Sequence, residues 1–303
     1  MSSKPKLGIS VKSIRNPTRT LGMTEILKAL RDSDLFDSYE TEDLVPSTNR
    51  CDRGAVIRYN NKRILLDLWE YSSPTYSHEV HAQNYDLIIK LQHNGMSPQV
   101  FHKKCKRKKI LTGLSDEEKT EFLSKVIPWT FFPSKLIERK FLGKPVQNVP
   151  ETQLAWFCGK QWKARTPLFN KLTNKGITLV RSDIALRAKP IKDEEYIRQM
   201  LSSRYGLVLH GRMSHFTEAK NRREIDYMIL RKPLLLNYRP HYYDPLVEGK
   251  HYIYVDASTD FDTLHEKYDL EAMVNDAYEW YENNASPTGI AKSFSKIMND
   301  YFG

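Results

Sequence analysis

The sequence predicts an α/β fold in two domains, on three observations. Short apolar runs of strand length alternate with segments whose apolar residues recur at helical spacing, in both halves of the chain. The length, 303 residues, fits two domains of roughly 150 residues each. A proline-punctuated stretch, IPWTFFPS at 127–134 followed by KPVQNVPET at 144–152, separates the halves. The boundary is set at 145/146, giving an N-terminal domain 1–145 and a C-terminal domain 146–303, with room for the last helix to cross back to the first.

In the first half, KLGISVK (6–12) predicts a strand, and MTEILKALRDSDLF (23–36) a helix. AVIRYNNKRILLDLWE (55–70) places Asn60-Asn61 between two apolar runs, a hairpin signal. YDLIIKLQH (85–93) is an apolar run of the kind buried in a parallel sheet. DEEKTEFLSKVI (116–127) predicts a helix capped by Ser115, with Glu118 at the capping-box position.

In the second half, QLAWFCG (153–159) predicts a strand, and TPLFNKLTNKG (166–176) a helix with Pro167 in its first turn and Gly176 at its end. ITLVRS (177–182) follows as a strand, DEEYIRQMLSSRYG (193–206) as a helix ending at glycine, and LVLHG (207–211) as a strand. NRREIDYMILRKP (221–233) predicts a helix, LLLNY (234–238) and HYIYVD (251–256) strands, and TLHEKYDLEAMVNDAYEWYENN (263–284) a longer helical segment. This alternation predicts a parallel, doubly wound sheet.

Composition narrows the function classes. Apolar residues make up 40% of the chain and charged residues 28%, as in a folded globular protein. No run of about eighteen apolar residues occurs, and MSSKPKLGIS at the start lacks the apolar core of a secretory signal. Cys51, Cys105 and Cys158 have neither disulfide-framework nor zinc spacing, so a reducing, cytoplasmic setting is expected. A net charge of +10 attracts anions without choosing among them. The densest basic run, HKKCKRKK (102–109), reads as a solvated loop, with nucleic-acid binding or nuclear import as the alternatives. No helix-turn-helix, zinc-finger or aromatic ribonucleoprotein signature accompanies it, which makes a nucleic-acid partner the less favoured reading.

Ligands of open α/β sheets bind beyond the carboxyl ends of strands. Two predicted strands end in basic, glycine-bearing segments: Gly159, Lys160, Lys163 and Arg165 after one, His210, Gly211 and Arg212 after the other. Glycine lets the backbone approach a phosphate, a helix start offers free N–H groups, and lysine or arginine adds charge. Neither the phosphate-loop nor the dinucleotide glycine pattern is present, which counts against an NTPase or a dehydrogenase. Arg222 and Arg223 stand at the next predicted helix start, with Glu224 and Asp226 in its first turn, where a carboxylate would complement the dipole or bind ribose hydroxyls.

With these residues in place the second half resembles the donor domain of glycosyltransferases of the GT-B architecture. There a strand ending in a Phe-x-Gly-Arg/Lys pattern opens the domain, here Phe157, Gly159 and Lys160 with Arg165 downstream. EIDYMILRKPLLL (224–236) is similar to that family's acidic helix, small residue, Lys-Pro and apolar strand, with Arg231 where glycine is common. YYDPLVEGKHYIYVD (242–256) is similar to a segment of the protein O-glucosyltransferase and capsule-modifying family. The compact chain also resembles the small sugar transferases of large algal (chlorella) viruses, a xylosyltransferase among them. The resemblance implies two Rossmann-like domains with a cleft between them and transfer of a sugar, xylose in that comparison, from a UDP-sugar to a glycan. It implies no metal or other cofactor, a donor diphosphate held by Gly159, Lys160, Arg165, His210, Gly211, Arg212, Arg222 and Arg223, and ribose on Glu224 or Asp226.

The acceptor side falls to the first half. An inverting transfer needs a base for the acceptor hydroxyl. LLDLWEYSSPTYSHE (65–79) offers Asp67, then Glu70, then His78, beside Trp69, Tyr71 and Tyr76, whose flat faces suit sugar rings. Lys90, Gln92 and His93 are further candidates at the next strand end. Asp256, Asp260 and Asp262 form a short acidic cluster, with Asp260-Phe261-Asp262 read as capping the following helix rather than the trio as holding a metal. Two rivals stay open: a basic nucleic-acid-binding protein, with steep salt dependence, and a phosphoryl transferase, which would need Mg²⁺ ligands.

Overall fold

A computed structural model describes residues 4–10, 23–42, 54–67, 85–91, 97–108, 111, 113–144, 146, 149–159, 168, 170, 172, 177–181, 191–209, 218–219 and 222–303. The chain divides into two compact units, Met1–Phe132 with His241–Asp244 and Asn283–Gly303, and Pro133–Pro240 with Pro245–Glu282. The division at Phe132/Pro133 lies inside the proline-punctuated stretch, one helix earlier than 145/146.

The elements in chain order are β1 (Lys6–Ile9), α1 (Met23–Arg31), β2 (Asp37–Glu40), β3 (Gly54–Tyr59), β4 (Lys62–Asp67), β5 (Leu87–Lys90), α2 (Pro98–Lys108), α3 (Asp116–Ser124), β6 (Val126–Pro128), α4 (Lys135–Phe141) and β7 (Gln153–Gly159). They continue with β8 (Ile177–Arg181), α5 (Asp193–Leu201), β9 (Ser203–Val208), β10 (Glu218–Ala219), α6 (Arg222–Ile229), β11 (Leu234–Leu236) and β12 (Arg239–Pro240). The last are β13 (Ile253–Tyr254), α7 (Leu264–Lys267), α8 (Leu270–Asn284) and α9 (Pro287–Phe302). Among the described residues no helix is long and apolar enough to cross a membrane.

The first unit holds a sheet in the order β2-β1-β3-β4-β5-β6. It is parallel except for β3, which runs antiparallel to both neighbours. The exception follows from the Asn60-Asn61 link, since so short a connection can only reverse the chain. Asn60 takes a left-handed backbone (φ 51°), and its Oδ1 accepts from the Lys6 amide at 2.9 Å. Asparagine tolerates that conformation better than other non-glycine residues.

The capping box of α3 forms as the sequence indicates: Glu118 N–H donates to Ser115 Oγ, and Ser115 N–H to the Glu118 carboxylate at 2.7 Å. The last helix, α9, starts at the Ser286 cap and lies in this unit's core. Phe294 meets Phe36 edge-on at 5.8 Å, and Trp129 Nε1 donates to Ser293 Oγ at 3.0 Å. The run 102–109 corrects the loop expectation, because 98–108 is helical. Phe101 and Cys105, one turn apart, are buried while Lys103 and Lys106 are exposed, so the cations occupy the outer face of an amphipathic helix.

The second unit holds a five-stranded sheet, β13-β11-β9-β7-β8, parallel throughout, and a small parallel pair, β10 with β12. Alternate residues of its strands build one core face: Ala155, Phe157, Tyr205, Leu207, Leu209, Leu235, Ile253 and Val255 pack with Leu168, Leu172 and Met273. The intervening residues meet the other layer, where Trp156 lies 5.0 Å edge-on from Tyr196 of α5 and Tyr227 of α6 packs on Gly206. Helices thus cover both faces, the doubly wound arrangement. Two helix boundaries change. The helix read over 193–206 stops at Leu201, because Tyr205, Leu207 and Leu209 alternate as a strand; Gly206 lies within β9. The segment 263–284 splits into α7 and α8 at an extended Tyr268, after which Asp269 accepts from the Ala272 amide at 3.0 Å and starts α8.

Candidate functional site

In the second unit the chain leaves β7 for its neighbour β8 on one side, then returns past β7 to β9, β11 and β13 on the other. The winding direction reverses between β7 and β9. Leu168 and Leu172, which follow β7, pack on one face of the sheet, whereas α6, which follows β9, packs on the opposite face through Tyr227. Connections that diverge to opposite faces open a crevice beyond the carboxyl ends of the two strands, the switch point at which such sheets bind ligands. The β7–β9 register, Ala155 opposite Tyr205, continues to bring Gly159 level with Leu209. Both basic segments singled out from the sequence begin there.

Gly159 ends β7, half-buried. Lys160, Arg165, His210, Gly211 and Arg212 lie outside the described residues. Arg222 and Arg223 open α6, half-buried, and the Arg223 guanidinium lies 5.4 Å from the Phe157 ring centroid, which carries a cation from α6 back toward the end of β7. The first-turn amides of α6 add the positive end of its dipole.

The two carboxylates of α6 are less available than the sequence suggested. Glu224 is fully buried and accepts from the Tyr238 hydroxyl, just beyond β11. Asp226 is 3% exposed and accepts from the Ser134 amide at 2.8 Å, and Ser134 in turn caps α4. Burial pushes the Asp226 carboxyl up to about 6, with the Ser134 hydrogen bond opposing part of that rise. Asp226 therefore couples two helices of the same unit. The apolar neighbours Ile225, Tyr227 and Met228 were the signal that this helix is buried nearly all round.

In the first unit, Asp67 and Lys90 end β4 and β5 at register-paired positions. Lys90 Nζ donates to Asp67 Oδ2 at 2.7 Å, with side chains 0% and 5% exposed. Desolvation pushes the Lys90 ammonium down, and the Asp67 carboxylate opposes that shift. The structure thus joins two residues that the sequence named separately. Trp69, Glu70, Tyr71, Tyr76, His78, Gln92 and His93 lie outside the described residues.

The acidic trio 256–262 forms turns. Asp256 accepts from the Ser258 amide at 2.7 Å and from its hydroxyl at 2.6 Å, and Asp260 from the Asp262 amide at 3.2 Å. The helix that follows starts at Thr263 with no side-chain cap, so the capping expectation is replaced by an Asx turn. Among the described residues no three His, Cys, Asp or Glu side chains are grouped to hold a metal, and Cys105 and Cys158 are buried thiols outside any disulfide.

No family model and no curated protein matches the chain. Solved structures do. TarM is 12% identical over 75% of this chain and 52% of its own, with a TM-score of 0.37. A TarM variant from S. aureus, in complex with fondaparinux, alpha-GlcNAc-glycerol and UDP, is 11% identical over 72% of this chain and 49% of its own, with a TM-score of 0.30. The chain spans about half the length of each. Likeness at this level specifies neither activity nor ligand, and the helix-flanked sheets of parallel strands themselves establish the α/β class.

Proposed function

We propose that the protein is a glycosyltransferase that moves a sugar from a UDP-linked donor to a hydroxyl of a glycan acceptor, with inversion and without a metal, xylose being the first donor sugar to test. One observation carries the reading: both basic segments start at adjacent strand ends on either side of the β7/β9 switch point, with Arg222 and Arg223 at the neighbouring helix start. In the reaction the acceptor oxygen bonds to the anomeric carbon as the bond to the diphosphate breaks, and the base takes the hydroxyl proton. Lys160, Arg165, His210, Arg212, Arg222 and Arg223 would neutralise the departing UDP, with Gly159 and Gly211 allowing close backbone approach. Ribose on Glu224 or Asp226 would require the sugar hydroxyls to displace Tyr238 or Ser134 from a buried carboxylate.

A carboxylate already paired with an ammonium at 2.7 Å and walled from solvent is a poor acceptor for an external proton. The base role therefore passes from Asp67 to Glu70 and His78 on the same connection, with Trp69, Tyr71 and Tyr76 stacking on the acceptor. The test is a thermal-shift panel of nucleotide sugars with and without EDTA. Stabilisation by a UDP-sugar that EDTA leaves unchanged is expected. Indifference to every nucleotide sugar, with a salt-sensitive shift on adding DNA or RNA, would transfer the function to the basic face of α2.

A further inference from the structure

The second unit contains a cavity of about 610 Å³ at the opposite edge of its sheet from the switch point. Its walls come from segments leading into the amino ends of β7, β9 and β11 and from the end of α8. The volume suits a small ligand. Phe141, Val149, Leu201 and Leu230 contribute apolar surface; Lys144, Arg231 and Lys232 bring cations, against Glu282 in the described wall and Glu151, which lies 3.9 Å from Lys232 Nζ.

Arg231 is the unusual residue of this wall. It follows α6 in a left-handed backbone (φ 54°), a position where helices favour glycine. The helix closes there with Arg231 N–H on the Met228 carbonyl and Lys232 N–H on the Tyr227 carbonyl, each at 3.1 Å. Its guanidinium lies 3.3 Å from the Tyr278 ring centroid and donates to Asn275 Oδ1 at 3.2 Å. A strained backbone retained with a long cationic side chain points to a use for that side chain. A guanidinium carries five N–H donors, more than Asn275 takes up. In the same wall the Tyr281 hydroxyl is buried and meets no hydrogen-bond partner among the described residues. One Tyr278 face is taken by Arg231, which disfavours a stacked sugar and favours an apolar body beside the cations.

We propose that this cavity is a second ligand site, separate from the switch point, for a small amphiphilic anion with a carboxylate, sulfonate or phosphate head on an apolar body. Arg231 and Lys232 receive the head, and the aliphatic wall receives the body. The probe is 8-anilinonaphthalene-1-sulfonate, followed by its fluorescence on the full chain, with laurate and UDP as competitors. Saturable binding is expected, displaced by laurate and untouched by UDP. Arg231→Gly, which suits the left-handed backbone and should keep the melting midpoint, weakens binding about tenfold. Val149→Trp, which fills the volume and leaves the cations, also weakens it. Equal binding by the parent and both variants, displacement by UDP, or no binding at all would overturn the proposal.

Discussion

Lys90 and Asp67 form an ion pair 2.7 Å long at the carboxyl ends of adjacent parallel strands, with both side chains buried. The arrangement gives each charge the partner that burial demands, because an unpaired ion there would lose its hydration without compensation. Lys90→Met, which strands the carboxylate, should cost about 3–5 kcal/mol in denaturant unfolding. The double variant Asp67→Leu/Lys90→Met should recover most of that loss. A single variant as stable as the parent would show that the pair contributes nothing.

Asp226 makes stability depend on pH in a defined direction. Its carboxyl titrates near 6 when folded, against an ordinary value of 3.8, so the folded state binds the proton more tightly. Its contribution is fully present below the unfolded value and is lost as pH rises through about 6, an amount on the order of 3 kcal/mol. Asp226→Asn, which keeps an acceptor for Ser134, should flatten that interval and stabilise the protein at pH 7.5. Denaturant unfolding at pH 4.5 and 7.5 gives the comparison; identical pH profiles for the two proteins would refute the titration.

Gly206 is required by close approach. A Cβ at this position would stand 2.5 Å from Cγ of Tyr227, whose hydroxyl is held by the Trp156 carbonyl at 3.2 Å. Gly206→Ala should therefore destabilise the chain by about 1–3 kcal/mol, the usual cost of overpacking. Adding Tyr227→Val, which removes the ring, should relieve the clash, so the two changes are expected to be non-additive in thermal unfolding.

Residues flanking the proposed transfer site should separate binding from chemistry. Lys160→Ala and Arg165→Ala are expected to weaken UDP binding by about tenfold or more, each removing a cation from the diphosphate. Glu70→Gln should leave UDP binding intact and lower turnover by about 10²–10⁴, as loss of a base does. Calorimetry with UDP beside initial-rate assays makes the distinction, and a fully active Glu70→Gln would move the base to His78.

Much of this was legible in local chemistry. The Asn60-Asn61 reversal, the Ser115 and Glu118 capping box and the strand ending at Gly159 all depend on residues a few positions apart, and each formed where the sequence indicated. The cationic run 102–109 was misread because charge density suggested solvent on every side. Phe101 and Cys105, spaced by one helical turn, were the weaker signal that mattered. The last helix, α9, joins the first unit, to which the sequence left room for it to cross back, but its bounds at Ser286 and Pro287 and the aromatic cluster that retains it, assembled from residues distant in the chain, come from the structure.

The sequence by itself determined the alternation of strands and helices, the two-unit organisation and the residue types gathered behind β7 and β9. Tertiary structure alone decided that β7 and β9 are neighbours, that Asp67 is matched to Lys90, that Glu224 and Asp226 face Tyr238 and Ser134, and that Arg231 overlies Tyr278 beside a cavity. The physical reason is range. Periodicity, caps and turns act within a few residues, whereas strand order and the partner of a buried charge follow from burying the apolar faces of many elements together, which no local segment encodes.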